Sequence, residues 1–96
     1  MDYNTVIKRM ETYMSKFEGD YPDWYVGVTN DLEEGLFDLH GVEDNGIWIS
    51  FGADTEEVAK KVEQYFLDKK TDGNPSPIEE NFRIVYAYKK NSKTTP

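Results

Sequence analysis

The sequence predicts a single small α/β (α+β) domain, a three-stranded sheet covered by about three helices in the order helix, strand, helix, strand, helix, strand. Two patterns predict it. Apolar residues recur at spacings of three and four in three stretches, and short runs rich in aromatic and β-branched residues lie between and after them. The alternation calls for a small sheet with helices packed on it. A chain of 96 residues holds one core and buries roughly two-thirds of its unfolded surface. Residues 1–90 are expected to form the domain and 91–96 a flexible, polar tail.

Tyr3, Val6, Ile7, Met10, Tyr13, Met14 and Phe17 fall on one stripe of an amphipathic helix. Asp2 or Asn4 can cap its start, and Gly19 lies just past its end. Tyr21-Pro22-Asp23 breaks the pattern, because proline fixes φ and drives the preceding residue towards extended geometry. Trp24 to Val28 then reads as a strand. Gly27 inside it needs a reason, since glycine weakens a strand unless another group, a ligand or a second backbone, must come close.

Asn30 with Glu33 has the spacing of a capping box, opening a helix with Leu32, Leu36 and Leu39 on its apolar edge. Gly35 within it costs about 1 kcal/mol relative to alanine. Gly41 is the expected terminator, and His40, the sole histidine, stands at the helix end, where the dipole favours a protonated ring. Without clustered partners in the sequence, His40 reads as a structural or surface group. Asp44-Asn45-Gly46 reads as a turn. Ile47 to Phe51, with few polar positions, is expected to be a strand central in the sheet.

Asp54 with Glu57 has the same capping spacing for a helix from about Thr55 to Lys69, with Val58, Val62, Tyr65 and Phe66 on one face. Acids in its first turn and bases in its last suit the helix dipole. Thr71 to Pro77 reads as a loop, and Phe82 to Tyr88 alternates as the third strand.

Charge is distributed unevenly. The net charge is −8, yet no lysine or arginine occurs from Phe17 to Ala59, where 12 acids fall; the remaining seven acids and all 11 bases lie towards the two ends. A DNA duplex carries about one negative charge per 1.7 Å, and its binders neutralise phosphates with Lys and Arg. The middle of this chain is therefore expected to repel nucleic acid. A solvated acidic surface that serves only solubility is the plainer reading of the same charges.

The absence of cysteine excludes disulfides, thiolate metal sites and a cysteine nucleophile. Met1 to Phe17 interleaves charges with apolar residues, unlike a signal peptide, and the apolar runs are too short to span a bilayer, so a cytoplasmic protein without membrane partners is expected. There is no glycine-rich phosphate loop, dinucleotide fingerprint, histidine pair or Ser-His-Asp elbow.

Tyr25-Val26-Gly27, followed by Thr29-Asn30-Asp31-Leu32-Glu33 and Leu36, resembles the YIG strand and following helix of GIY-YIG nuclease domains. Ala59-Lys60-Lys61-Val62-Glu63 resembles that family's later alanine-x-x-x-glutamate helix, and Trp48 to Phe51 sits where the family has its next strand. No GIY strand precedes Tyr25. Arg83-Ile84-Val85-Tyr86-Ala87-Tyr88 resembles that strand with isoleucine for glycine, so the C-terminal strand is expected beside Trp24 to Val28, as in a circularly permuted relative.

The resemblance implies catalytic roles for Tyr25, Tyr86 and Glu63, with Glu63 holding a divalent metal such as Mg2+, and places His40 near a family histidine. The structural alternatives are tyrosines buried in the core with a polar tip and an ordinary surface glutamate. Where the family has its catalytic arginine, this chain has Glu34-Gly35. Losing such a preorganised cation costs several kcal/mol of transition-state stabilisation.

The expectation is a non-catalytic interaction protein on a degenerate scaffold, with no cofactor. Asp31, Glu33, Glu34, Asp38, Glu43 and Asp44 would meet a basic surface of a partner protein, such as a nucleic-acid enzyme, in the way phage-type inhibitors imitate DNA. A metal-dependent endonuclease and a small accessory domain are the alternatives.

Overall fold

A computed structural model describes residues 1–43, 46–75 and 80–94. Its elements are α1 (Tyr3–Met14), β1 (Trp24–Thr29), a π-helical turn (Glu33–Asp38), β2 (Trp48–Gly52), α2 (Glu56–Asp68) and β3 (Ile84–Lys89), with a short 3-10 turn at Tyr21–Asp23. The strands form one antiparallel sheet in the order β1-β3-β2. The predicted fold class and element order are therefore the observed ones.

The C-terminal strand does lie beside β1, with Tyr25 opposite Tyr88 and Gly27 opposite Tyr86. β2, expected at the centre, is an edge strand instead. β3 takes the central place because both of its faces are apolar: Tyr86 and Tyr88 are buried on one side, Val85 and Ala87 on the other. None of the residues of β2 is buried.

Each face of the sheet has its own cover. Trp24 and Val26 of β1 and Val85 and Ala87 of β3 pack against Val6, Met10 and Met14 of α1 and Ala59, Val62 and Phe66 of α2. Fully burying side chains of this size stabilises the fold by about 1.5–3 kcal/mol each. On the opposite face, Tyr25, Tyr86 and Tyr88 pack under Leu36 and Val42.

Both helices begin as local chemistry dictates. Asp2 Oδ1 accepts from the Thr5 backbone N–H at 2.8 Å. At α2 the cap is Thr55, whose hydroxyl accepts from Val58 N–H at 3.1 Å, rather than Asp54. Asp54 instead meets the Met1 ammonium at 2.7 Å. α2 stops at Asp68, so Lys69, expected to end the helix, stands at its cap instead.

The expected second helix differs most. It is a six-residue π turn in which the Leu39 N–H reaches back five residues to the Glu34 carbonyl. The wider turn rotates later side chains away from the helical stripe. Leu36 is fully buried, whereas Leu39, predicted on the same apolar edge, is 64% exposed. Asn30 makes no capping bond among the described residues; Asp31 Oδ1 accepts from Glu34 N–H at 3.3 Å. Gly41 ends the segment as expected, with φ of +68°.

The loop after α2 closes the outer edge of β1. Asp72 N–H donates to the Trp24 carbonyl at 2.8 Å, and Val26 N–H to the Asp72 carbonyl at 3.0 Å. Asp44-Asn45 of the predicted turn and Ser76-Pro77 of the predicted loop lie outside the described residues. Asn91 to Thr94 form a turn, and Lys93 pairs with Glu43 at 3.2 Å. Among the described residues, no helix is long and apolar enough to cross a membrane.

Candidate functional site

The face of the sheet beneath the π turn carries a buried group of hydrogen-bonding aromatics. Strand alternation puts Tyr25 and Gly27 of β1 and Tyr86 and Tyr88 of β3 on that face. Tyr86 lies across Gly27: a methyl group added at residue 27 would stand 2.5 Å from the Tyr86 hydroxyl oxygen. The close approach that Gly27 calls for is thus made by a neighbouring tyrosine, the cross-strand filling of a glycine gap.

His40 closes the group from above. Its Nε2 lies 3.0 Å from the Tyr86 hydroxyl, and its ring lies 4.4 Å from that of Tyr25 and 5.2 Å from that of Tyr88. Tyr25 stacks on Tyr88 at 5.2 Å. Burial pushes the hydroxyls of Tyr25, Tyr86 and Tyr88 above the ordinary tyrosine range, helped for Tyr86 by the neighbouring tyrosines and for Tyr25 by Asp72 and Glu63. Such hydroxyls stay protonated at neutral pH and serve as hydrogen-bonding core groups. His40 is thereby a buried partner of this cluster.

Glu63 projects from α2, which packs on the opposite face. It is not the ordinary surface acid of the sequence reading, being only 2% exposed. Burial raises its pKa against the opposing effect of Lys60, whose Nζ is 3.5 Å away. Its charge reaches the hydroxyls of both Tyr25 and Tyr86, raising the pKa of each. Of the three residues implied by the resemblance, Tyr25 and Tyr86 stack with ring centroids 6.4 Å apart.

A metal needs more. Magnesium takes one or two carboxylates together with waters and substrate phosphates, in an open position. Glu63 is closed off and paired with Lys60, and no group of three or more His, Asp or Glu side chains among the described residues is arranged to hold a metal. The described residues do not make a magnesium site.

The predicted binding acids sit on the cover of the same face. Asp31, Glu33, Glu34 and Asp38 are exposed on the π turn and its lead-in, and none of the four forms an ion pair among the described residues. Glu43 is exposed but paired with Lys93. Asp44 lies outside the described residues. Gly35, which the resemblance sets where that family has its arginine, backs onto Thr29, where an added methyl would stand 2.8 Å from Thr29 Oγ1. A side chain larger than glycine does not fit there without displacing Thr29, and Glu34 beside it brings the opposite charge.

Compared with known proteins, the chain matches no protein-family model, no curated protein and no solved structure.

Two members of this site were not singled out from the sequence. Tyr88 shares the alternation of Tyr86, so its parity could have placed it. Asp72 could not be found that way, because it joins β1 through backbone bonds that leave no residue pattern.

Proposed function

We propose that this chain is a non-catalytic, acidic interaction protein on a degenerate GIY-YIG-like scaffold. Its π turn engages the basic nucleic-acid-binding surface of another protein, as a phage-type inhibitor imitating DNA would. One observation supports this most: Asp31, Glu33, Glu34 and Asp38 stand exposed on one short segment, without ion pairs among the described residues, held in place by the buried Leu36 and by Gly35 against Thr29. Carboxylates fixed on a rigid cover can follow a positive groove and speed association with it. The buried, protonated tyrosines behind them supply anchorage rather than chemistry.

The test is competition against a labelled duplex for a DNA-binding enzyme, followed by fluorescence anisotropy. Displacement should weaken as salt rises. Neutralising all four acids to their amides should weaken it by about tenfold or more, a factor of ten being about 1.4 kcal/mol. Binding insensitive to both salt and these changes would remove the electrostatic reading. The alternative implied by the resemblance is a metal-dependent endonuclease using Tyr25, Tyr86 and Glu63, and the burial of Glu63 and its pairing with Lys60 count against it. Cleavage of the duplex in magnesium, lost in Glu63→Ala, would establish that instead.

A further inference from the structure

On the far side of the molecule from the acidic turn, a groove of about 570 Å3 runs between α1 and the edge strand β2. It is lined by Lys8 and Arg9 of α1 and Lys16 just past its end, together with Tyr13, Ile49 and Phe51. Among the described residues no carboxylate lines it, in a chain of 19 acids. None of the three cations forms an ion pair among the described residues. Cations held together without counter-charge repel one another, so this groove favours an anionic occupant.

The backbone beside it is also open. In the β2–β3 ladder, Lys89 N–H donates to the Ile47 carbonyl and Ala53 N–H to the Arg83 carbonyl. By antiparallel alternation, Ile49 and Phe51 bond to β3, while Trp48, Ser50 and Gly52 turn their backbone groups outward. Both ends of this edge are covered: the Met1 ammonium, just before α1, donates to the Gly52 carbonyl at 2.9 Å, and the Tyr13 hydroxyl of α1 meets the Trp48 backbone. Ser50, between them, has a donor and an acceptor facing out with no partner among the described residues.

We infer that this groove receives an extended acidic segment of a partner protein, which pairs with Ser50 as a short added strand and lays its carboxylates along Lys8, Arg9 and Lys16. Strand addition of this kind draws affinity from backbone bonds and specificity from alternate side chains. A second copy of this chain does not suit the groove. Edge-to-edge pairing of two β2 strands would bring the same cations together, and the chain's own exposed acids sit on a π turn rather than on an extended strand. Nucleic acid carries charge of the right sign but meets the net charge of −8 and offers no strand to Ser50.

The test is a titration of isotope-labelled protein with a synthetic peptide of alternating glutamate and valine, followed by NMR. The Ser50 amide should shift and become protected from exchange, and a peptide of alternating lysine and valine should produce neither effect. Lys8→Glu/Arg9→Glu/Lys16→Glu should weaken binding at least about tenfold. Ser50→Pro should abolish it while leaving the ladder to β3 intact, because the lost N–H points outward. If Ser50→Pro does not fold, the charge-reversed variant and the Ser50 amide decide the matter. Equal binding of both peptides, an unchanged Ser50 amide, or preferential binding of a single-stranded oligonucleotide at these cations would overturn the proposal.

Discussion

Thr71 carries the one buried side-chain oxygen that lacks a hydrogen-bond partner among the described residues. An unsatisfied buried hydroxyl costs about 1–3 kcal/mol, whereas an apolar group of the same shape costs nothing comparable. Thr71→Val is therefore expected to stabilise the protein by about 1 kcal/mol in urea unfolding. Glu63 offers a second test with a definite pH sign. Its carboxyl is raised in the folded state by burial, so its contribution to stability is fully present below the unfolded carboxyl value and is lost as pH rises through the raised folded value. Glu63→Gln should accordingly gain stability over wild type at pH 7, and the gain should vanish at acid pH. Unfolding curves across that range would show a constant difference if burial were not the cause.

At the scale of elements, the end of α2 is a six-residue closure built around an unfavourable residue. Thr71 N–H reaches the Phe66 carbonyl and Lys70 N–H the Leu67 carbonyl, the paired bonds of a Schellman motif. Its left-handed position is filled by Lys70, with φ of +83°. Lys70→Gly should stabilise the fold by about 0.5–1 kcal/mol, read as a higher thermal midpoint. The first helix was legible as a stripe because a face buried against a sheet must repeat at helical spacing. The π turn was not. Its course follows from the contact of Gly35 with Thr29 and the seating of Leu36 under three tyrosines, residues that lie on other strands.

For the whole molecule, everything depends on the last strand. β3 supplies both strand pairings and presents buried side chains to both layers, although it arrives only after the rest of the chain has been laid down. Amide exchange should therefore be slowest in Val85 to Tyr88 and approach the rate set by global unfolding. Faster exchange there than in α1 would contradict that order. The charge layout also emerges only at this scale. Acids without ion pairs among the described residues gather over one face of the sheet, and cations on and just past α1, likewise unpaired among those residues, gather beside β2, so a chain of net −8 presents two surfaces of opposite preference.

The sequence by itself determined the element order, both long helices and the Gly41 stop, because these follow from periodicity, capping and turn chemistry within a few residues; the pairing partner of β1 was expected from the family resemblance, not from any local pattern. Which strand is central, how the π turn runs, and that Glu63 and His40 are buried were decided only in three dimensions. Those outcomes rest on which side chains share a face after the chain has folded back on itself, and no local pattern encodes that competition for burial.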